Sequence, residues 1–212
     1  MYPWITHTWN AIKGKCPHQC SYCYMNRFPL KPVRLDNGEF NTNLGEGNTI
    51  FVGSSCDMWA NKISDEWIRK TLEHCNKYNN IYLFQSKNPH RFLKAEFLRL
   101  LPLDAFLGTT IETNRDFNND NVPNQSQRYY AMELLKQFNR KRMVSIEPIM
   151  NFDLDILLMW IKNINPSFVS IGADSKDHNL PEPSKEKTLV LIEELKKFTE
   201  VKIKDNLKRI IG

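Results

Sequence analysis

Cys16-Pro17-His18-Gln19-Cys20-Ser21-Tyr22-Cys23-Tyr24 is the stretch from which the rest of the chain is read. Its three cysteines, separated by three and then two residues in one tight loop, can turn their sulfurs toward one point, as a cluster or a metal requires. Soft thiolates select zinc or iron–sulfur clusters, and a closed structural zinc site takes a fourth Cys or His at matching spacing. No second Cys-x-x-Cys follows, Cys56 and Cys75 stand alone, and His18 would have to fold back between its own neighbours. Three ligands on a four-iron cluster would instead leave one iron open to a small molecule bringing its own amine and carboxylate. The loop then reads as an active site.

Working outward, residues 4–12 alternate aromatic or apolar with polar positions and read as a strand running into the loop, with Gly14 freeing the turn. A short helical stretch over residues 24–28 stops before Pro29, and residues 30–48 read as a loop. Thr49-Ile50-Phe51-Val52-Gly53 is a buried-strand run ending in Ser54-Ser55-Cys56-Asp57, and a helix with Ile68, Leu72 and Cys75 on one face starts from the N-cap Ser64. Residues 81–85 form the next strand, with a polar end at Ser86-Lys87-Asn88; Asn88 as cap and Pro89 at the first helical position start a helix reaching about Leu101. Residues 105–111 form a strand ending at Glu112-Thr113-Asn114-Arg115, and the helix over about 125–138 carries Tyr130, Leu134 and Phe138 on one stripe. Strands over 143–146, 168–171 and 201–204 follow, the first ending at Glu147-Pro148 and the second at Gly172-Ala173-Asp174-Ser175, with helices between them.

Strand and helix alternating along the whole length imply parallel pairing with right-handed crossovers. Six or seven βα units are too few for a complete eight-fold barrel. The expectation is an α/β fold, a partial (βα)6-type parallel barrel of open TIM-like form, as one domain over residues 1–212, with a doubly wound open sheet as the alternative. In either architecture ligands bind at the carboxyl ends of the strands. The clusters at Ser54 to Asp57, Ser86 to Asn88, Glu112 to Arg115, Glu147, Asp174 and Ser175, and Lys204 to Asn206 all fall there and would ring one cavity, with the cysteine loop at the same rim.

The chain has 212 residues, 41% hydrophobic and 25% charged, the composition of a soluble globular protein with a full core. No apolar run of about 18 residues predicts a membrane span, and the first residues lack a signal pattern. Five cysteines, three clustered and two single, do not suggest a disulfide framework, so a reducing, cytoplasmic location is expected. The net charge of +5 allows an anionic partner without requiring one, and Arg140-Lys141-Arg142 reads as a solvated helix end.

The motif Cys-x-x-x-Cys-x-aromatic-Cys resembles the cluster loop of radical S-adenosylmethionine (SAM) enzymes. What that resemblance implies is a [4Fe-4S] cluster on Cys16, Cys20 and Cys23, with SAM chelated through its amino and carboxylate groups to the open iron. Reductive cleavage of the sulfonium in that superfamily gives methionine and a 5′-deoxyadenosyl radical that abstracts hydrogen from a substrate. The order Thr8-Trp9-Asn10, the cysteine loop with Tyr24, Phe51-Val52-Gly53-Ser54, Gln85-Ser86-Lys87-Asn88-Pro89, Ser145-Ile146-Glu147-Pro148 and Ile171-Gly172 is similar to a phage-associated family of uncharacterised radical-SAM-like proteins related to spore photoproduct lyase, over nearly the whole chain.

By the same resemblance, Tyr22 sits against the adenine, and Tyr24 belongs to the cofactor site. Ser54 and Ser55 engage the SAM amino or ribose groups, Asp57 accepts from the same ligand, and Lys87 approaches the SAM carboxylate. Glu112 and Glu147 contact SAM or substrate or form salt bridges, for which Arg115 and Lys204 are the natural partners. Cys56 is the candidate catalytic residue, a thiol returning a hydrogen atom to a product radical; a buried cysteine otherwise serves as a small hydrophobe. Gly53-Ser54-Ser55-Cys56 stands where many radical SAM enzymes carry a glycine-rich run, and that departure bears on how the amino group is held. The implied partners are an electron donor such as a flavodoxin or ferredoxin and an unidentified substrate, with nucleic acid or nucleotide suggested by analogy. The competing reading is a nucleic-acid-binding protein stabilised by a zinc or iron–sulfur knuckle, without catalysis.

Overall fold

The computed structural model describes residues 2–117, 121–176 and 178–212. In chain order these residues form β1 (His7–Trp9), β2 (Ile12–Lys13), β3 (Arg34–Leu35), β4 (Thr49–Val52), α1 (Asp65–Cys75), β5 (Ile81–Ser86), α2 (Ala95–Leu100), β6 (Ala105–Thr110), α3 (Gln125–Leu134), β7 (Lys141–Ile146), α4 (Leu154–Ile164), β8 (Phe168–Ile171), α5 (Lys185–Lys196), β9 (Glu200–Ile203) and α6 (Lys208–Ile211). Seven strands make one sheet in the order β1-β4-β5-β6-β7-β8-β9, every neighbouring pair parallel. A doubly wound sheet reverses its strand order at a switch point. This order never turns back, so the architecture is a barrel wall left open between β1 and β9.

Alternation along each strand divides the side chains between two cores. Ile50, Val52, Tyr82, Phe84, Leu107, Val144, Ile146, Val169 and Ile171 face the helices and pack with Ile68, Leu72, Leu157, Ile161 and Leu191. Leu83, Met143 and Phe168 face the other way and gather round Tyr2, with Trp4, Ile5, Phe51 and Phe106 packed against them, so the leading segment fills the barrel interior. One step toward the carboxyl ends, Thr110, Ser145, Ser170 and Lys202 stand in register across β6 to β9. Gln85 joins this row, donating to Thr110 (3.1 Å) and accepting from the Tyr2 hydroxyl (2.7 Å). The interior thus passes from apolar to hydroxyl-bearing, and beyond the strand ends to Lys87, Glu112, Glu147 and Lys204.

Several local expectations are corrected. The strand expected over residues 4–12 is only three residues long as β1, because the chain turns after Trp9 and pairs β2 antiparallel with β3, inside the stretch read as loop. Gly14 adopts φ +109°, and a Cβ there would lie 2.5 Å from the Pro32 carbonyl oxygen. The helix expected over 88–101 breaks at Lys94, whose extended backbone (ψ 125°) separates a 3-10 turn, Pro89–Leu93, from α2. Asn88 does not cap it: its side-chain amide donates to the Trp59 carbonyl (3.0 Å) and to Asn61 (2.8 Å).

The stripe Tyr130, Leu134 and Phe138 faces solvent, at 59%, 45% and 44% exposure. The buried face of α3 carries Arg128, Tyr129, Ala131 and Met132 instead. Its rotation is fixed by Arg128, whose guanidinium is drawn to a buried carboxylate described below, and by Tyr129 stacking on Trp160 at 5.0 Å. Leu134→Ala should therefore change stability by no more than about 0.5 kcal/mol. Leu135→Ala, one position on and fully buried, should cost about 2–5 kcal/mol. Urea denaturation of the two variants checks this face assignment, and similar losses would refute it.

Candidate active site

The cysteine loop leaves β2 at the carboxyl rim and is closed by its own turns. Gln19 N–H donates to the Cys16 carbonyl (3.2 Å), Cys23 N–H to the Cys20 carbonyl (3.1 Å), and the Asn26 amide to the Cys20 carbonyl (2.9 Å). Asp57, just past β4, anchors the loop to the sheet. One carboxylate oxygen accepts from His18 Nε2 (2.9 Å), Ser86 Oγ (2.8 Å) and Lys87 N–H (2.9 Å), and the other from Trp59 N–H (2.9 Å). These bonds give Asp57 a scaffold role beside the ligand contact expected of it.

His18 is buried with a partner on each side. Its Nδ1 meets the Asn121 carbonyl (2.9 Å) and its Nε2 the Asp57 carboxylate. Both partners are acceptors, so the ring must carry both protons. Burial opposes that charge, yet Asp57 outweighs it and raises the His18 pKa. Burial likewise works against the Asp57 charge, and His18 with the converging donors lowers its pKa nonetheless.

No cysteine is bridged. A hydrogen bond with Cys56 brings the Cys16 thiol down to about 6 and pushes Cys56 up. Burial lifts Cys20 to about 11 and also raises Cys23; a thiolate at Cys16 adds to both effects, so the loop's sulfurs sense one another. Among the described residues, no three His, Cys, Asp or Glu side chains are gathered closely enough to hold a single metal ion. Cys56 is 2% exposed and packs in the core between sheet and helices, and Cys75 is fully buried there.

Glu112, at zero exposure, is the electrostatic centre of the rim. One oxygen accepts from both the Tyr22 hydroxyl and the Lys87 ammonium, and the other from Arg128 Nη1 at 2.9 Å. Lys87 also lies 5.0 Å over the Tyr22 ring. Arg128 is held in turn by the carbonyls of Thr110 (2.6 Å) and Pro123 (2.9 Å). Burial alone would raise the Glu112 pKa, but Arg128 and Lys87 bring it down to about 2. The sequence-based partner Arg115 pairs instead with Asp153 (2.5 Å), beyond the rim. Arg128 was missed because its helix was read with the wrong face inward. The signal that would have found it is a carboxylate ending an inner strand position, which needs a nearby cation if buried.

The remaining candidates divide between the two sides of the rim. Asn10 accepts from Ser55 N–H and from Ser55 Oγ, both at 3.0 Å, and donates to Ser54 Oγ (3.3 Å). Tyr24, half exposed, donates to the Ser54 carbonyl (3.0 Å). These four residues therefore lie together beside the cysteine loop. Across the barrel, Glu147 accepts from Lys204 (2.5 Å) and Asn206 (3.2 Å). Gly172 makes room for this carboxylate, since a Cβ would come within 2.8 Å of it.

No family model matches the chain, and no curated protein sequence does. Solved structures do. A cysteine-to-serine variant of spore photoproduct lyase superposes with TM-score 0.68 at 13% identity, covering 96% of this chain and 77% of that one. The fold is similar to that of spore photoproduct lyase. A second such structure, a variant with bound AdoMet and dinucleoside spore photoproduct, gives TM-score 0.61 at 14% identity over 90% of this chain and 61% of the other. SuiB from Streptococcus suis bound to S-adenosylmethionine gives 0.63 at 9% identity over 96% of this chain and 50% of the other. At such identities the likeness is one of fold, and it agrees with an open parallel barrel.

Proposed function

We propose that this chain is a radical SAM enzyme that holds a [4Fe-4S] cluster on Cys16, Cys20 and Cys23 and binds SAM beside it. The observation that supports this reading is a loop of three unbridged thiols at the carboxyl rim of an open parallel barrel, next to the Lys87, Glu112, Arg128 and Tyr22 network. The donor set fits the group, because each corner of a cluster takes its own thiolate rather than three converging on one ion. When bound, the cluster and SAM supply one-electron cleavage of the sulfonium and a 5′-deoxyadenosyl radical.

The chain's own residues would prepare that chemistry. Asp57 and His18 fix the loop against the ends of β4 and β5. Glu112, itself held by Arg128, holds Lys87 at the rim, where its ammonium suits the SAM carboxylate. The Tyr22 ring offers a flat face for adenine. Ser54, Ser55 and Tyr24 border the cysteine loop where the SAM amino or ribose groups would lie, and Glu147 faces SAM or substrate from the opposite side. Cys56 stays in the proposal as hydrogen donor. The substrate class we propose is a nucleic acid or nucleotide, supported by the dinucleoside lesion named for one similar structure. A flavodoxin or ferredoxin would deliver the electron in the cytoplasm. The affinity with the phage-associated family rests on motif order along the chain.

Anaerobic reconstitution tests the reading. About four irons per chain and SAM-dependent release of 5′-deoxyadenosine are expected, both lost in Cys16→Ala, Cys20→Ala and Cys23→Ala. One tightly held zinc without cleavage would instead establish the knuckle-stabilised binding protein. No helix among the described residues is long and apolar enough to cross a membrane.

A further inference from the structure

A cavity of about 700 Å³ lies outside the barrel mouth, walled by the segments that follow β4, β5 and β6 and by Pro17 of the cysteine loop. That volume is within the range of ligand sites. Among the described residues its charged lining is Lys62, Arg91 and Lys94, with His90, against one carboxylate, Asp65. Arg91 and Lys94 both pair with Asp65, which leaves their sum positive, and Lys62 forms no ion pair with another described residue. Asn61, Asn121 and Gln127 add amide groups to the walls. Among the described residues the lining carries no Phe, Tyr or Trp.

The position ties this cleft to the cysteine pocket. Val122 and Pro123 wall it on one side and, on the other, wall the small pocket lined by Cys20, Tyr22, Lys87 and Arg128. A chain molecule lying in the cleft would therefore continue past this divider, or past Pro17, to the rim.

We infer that the cleft holds the phosphodiester backbone of a nucleic-acid strand flanking the group that reaches the rim. Compact ammonium charges and amides suit phosphate oxygens and sugar hydroxyls, and backbone contacts of this kind position a strand without reading its sequence. An acidic peptide fits less well. Its main chain would need a sheet edge to pair with or its side chains an apolar groove, and the walls are loops and helix ends with only prolines and Val122 as apolar surface. This inference deepens the substrate class proposed above, yet binding does not depend on the cluster.

Fluorescence anisotropy of labelled single-stranded DNA and RNA oligomers of about 12 nucleotides, with reconstituted and cluster-free protein, is the test. Both forms should bind, with affinity falling as salt rises. Lys62→Glu should weaken binding about tenfold for every sequence and make the salt dependence shallower by about one charge. Lys141→Glu, an equal charge change at the amino end of β7, should alter it less than about twofold. Equal losses in the two variants would reduce the effect to net charge and overturn the assignment. Displacement by pyrophosphate as readily as by oligomer would make this a site for a small phosphate compound and overturn the strand. Binding of polyglutamate in preference to oligomer would move it to an acidic peptide. Absence of binding overturns the inference while leaving SAM cleavage to be judged on its own assay.

Discussion

Glu112→Ala is expected to lower folding stability by about 3–5 kcal/mol, because it leaves Arg128 and Lys87 desolvated without their shared carboxylate. Arg128 has 4% and Lys87 16% of its side chain exposed, so water cannot take over the lost role. The pH dependence gives an independent reading. The Glu112 pKa in the folded chain is about 2 against an ordinary 4.5, so its contribution, roughly 3 kcal/mol, is fully present above pH 4.5. It is lost as the pH falls from 4.5 toward 2, because the unfolded chain takes up the proton first. Urea melts of the parent and of Glu112→Gln should therefore differ widely at neutral pH and converge in acid. Adding Arg128→Met to Glu112→Gln should recover part of the loss, since one uncompensated cation is gone. A Glu112→Gln variant as stable as the parent at neutral pH would show that the buried network contributes nothing.

Asp57→Ala should cost about 3 kcal/mol or more, since it strips the acceptor from four donors, two of them backbone groups at the ends of β4 and β5. The second consequence is specific to the loop. Without Asp57, His18 loses the partner that holds the stretch between Cys16 and Cys20 against the sheet, and iron should be lost to a chelator much faster than from the parent. Asp57→Asn preserves the shape but turns an amide toward donors, so it should fall between the two. Iron retention at the parental rate in Asp57→Ala would show that the loop is held by other means. Leu135→Ala provides the control for instability alone, because it weakens the core without touching the loop.

The alternating pattern in the sequence was enough to place the parallel strands and their polar carboxyl ends, because strand period and burial are local properties. Partner choice was legible only in part: Lys204 pairs with Glu147 as expected, whereas Arg115 pairs with Asp153. Glu112 and Arg128 are joined across β6 and α3, and nothing in the spacing says which face of α3 turns inward; an equally regular stripe, Tyr130-Leu134-Phe138, pointed the other way. The scaffold role of Asp57 was not legible, because only the fold brings His18, Ser86 and Lys87 onto it. Asn88 looked like a cap because Pro89 follows, yet its side chain is needed by Trp59 and Asn61. Each of these cases turns on a polar or charged side chain whose partner is distant in sequence and near in space.

Tyr2, Trp4 and Ile5 occupy the middle of the barrel, and this sets the depth to which anything can enter. With the lower storeys filled, the polar part of the interior is the row of Gln85, Thr110, Ser145 and Ser170 and the charged side chains beyond the strand ends. Under the proposed function, a guest would therefore meet the chain at the strand ends and present one part of itself, as a polymer does when a single unit is tipped out of line.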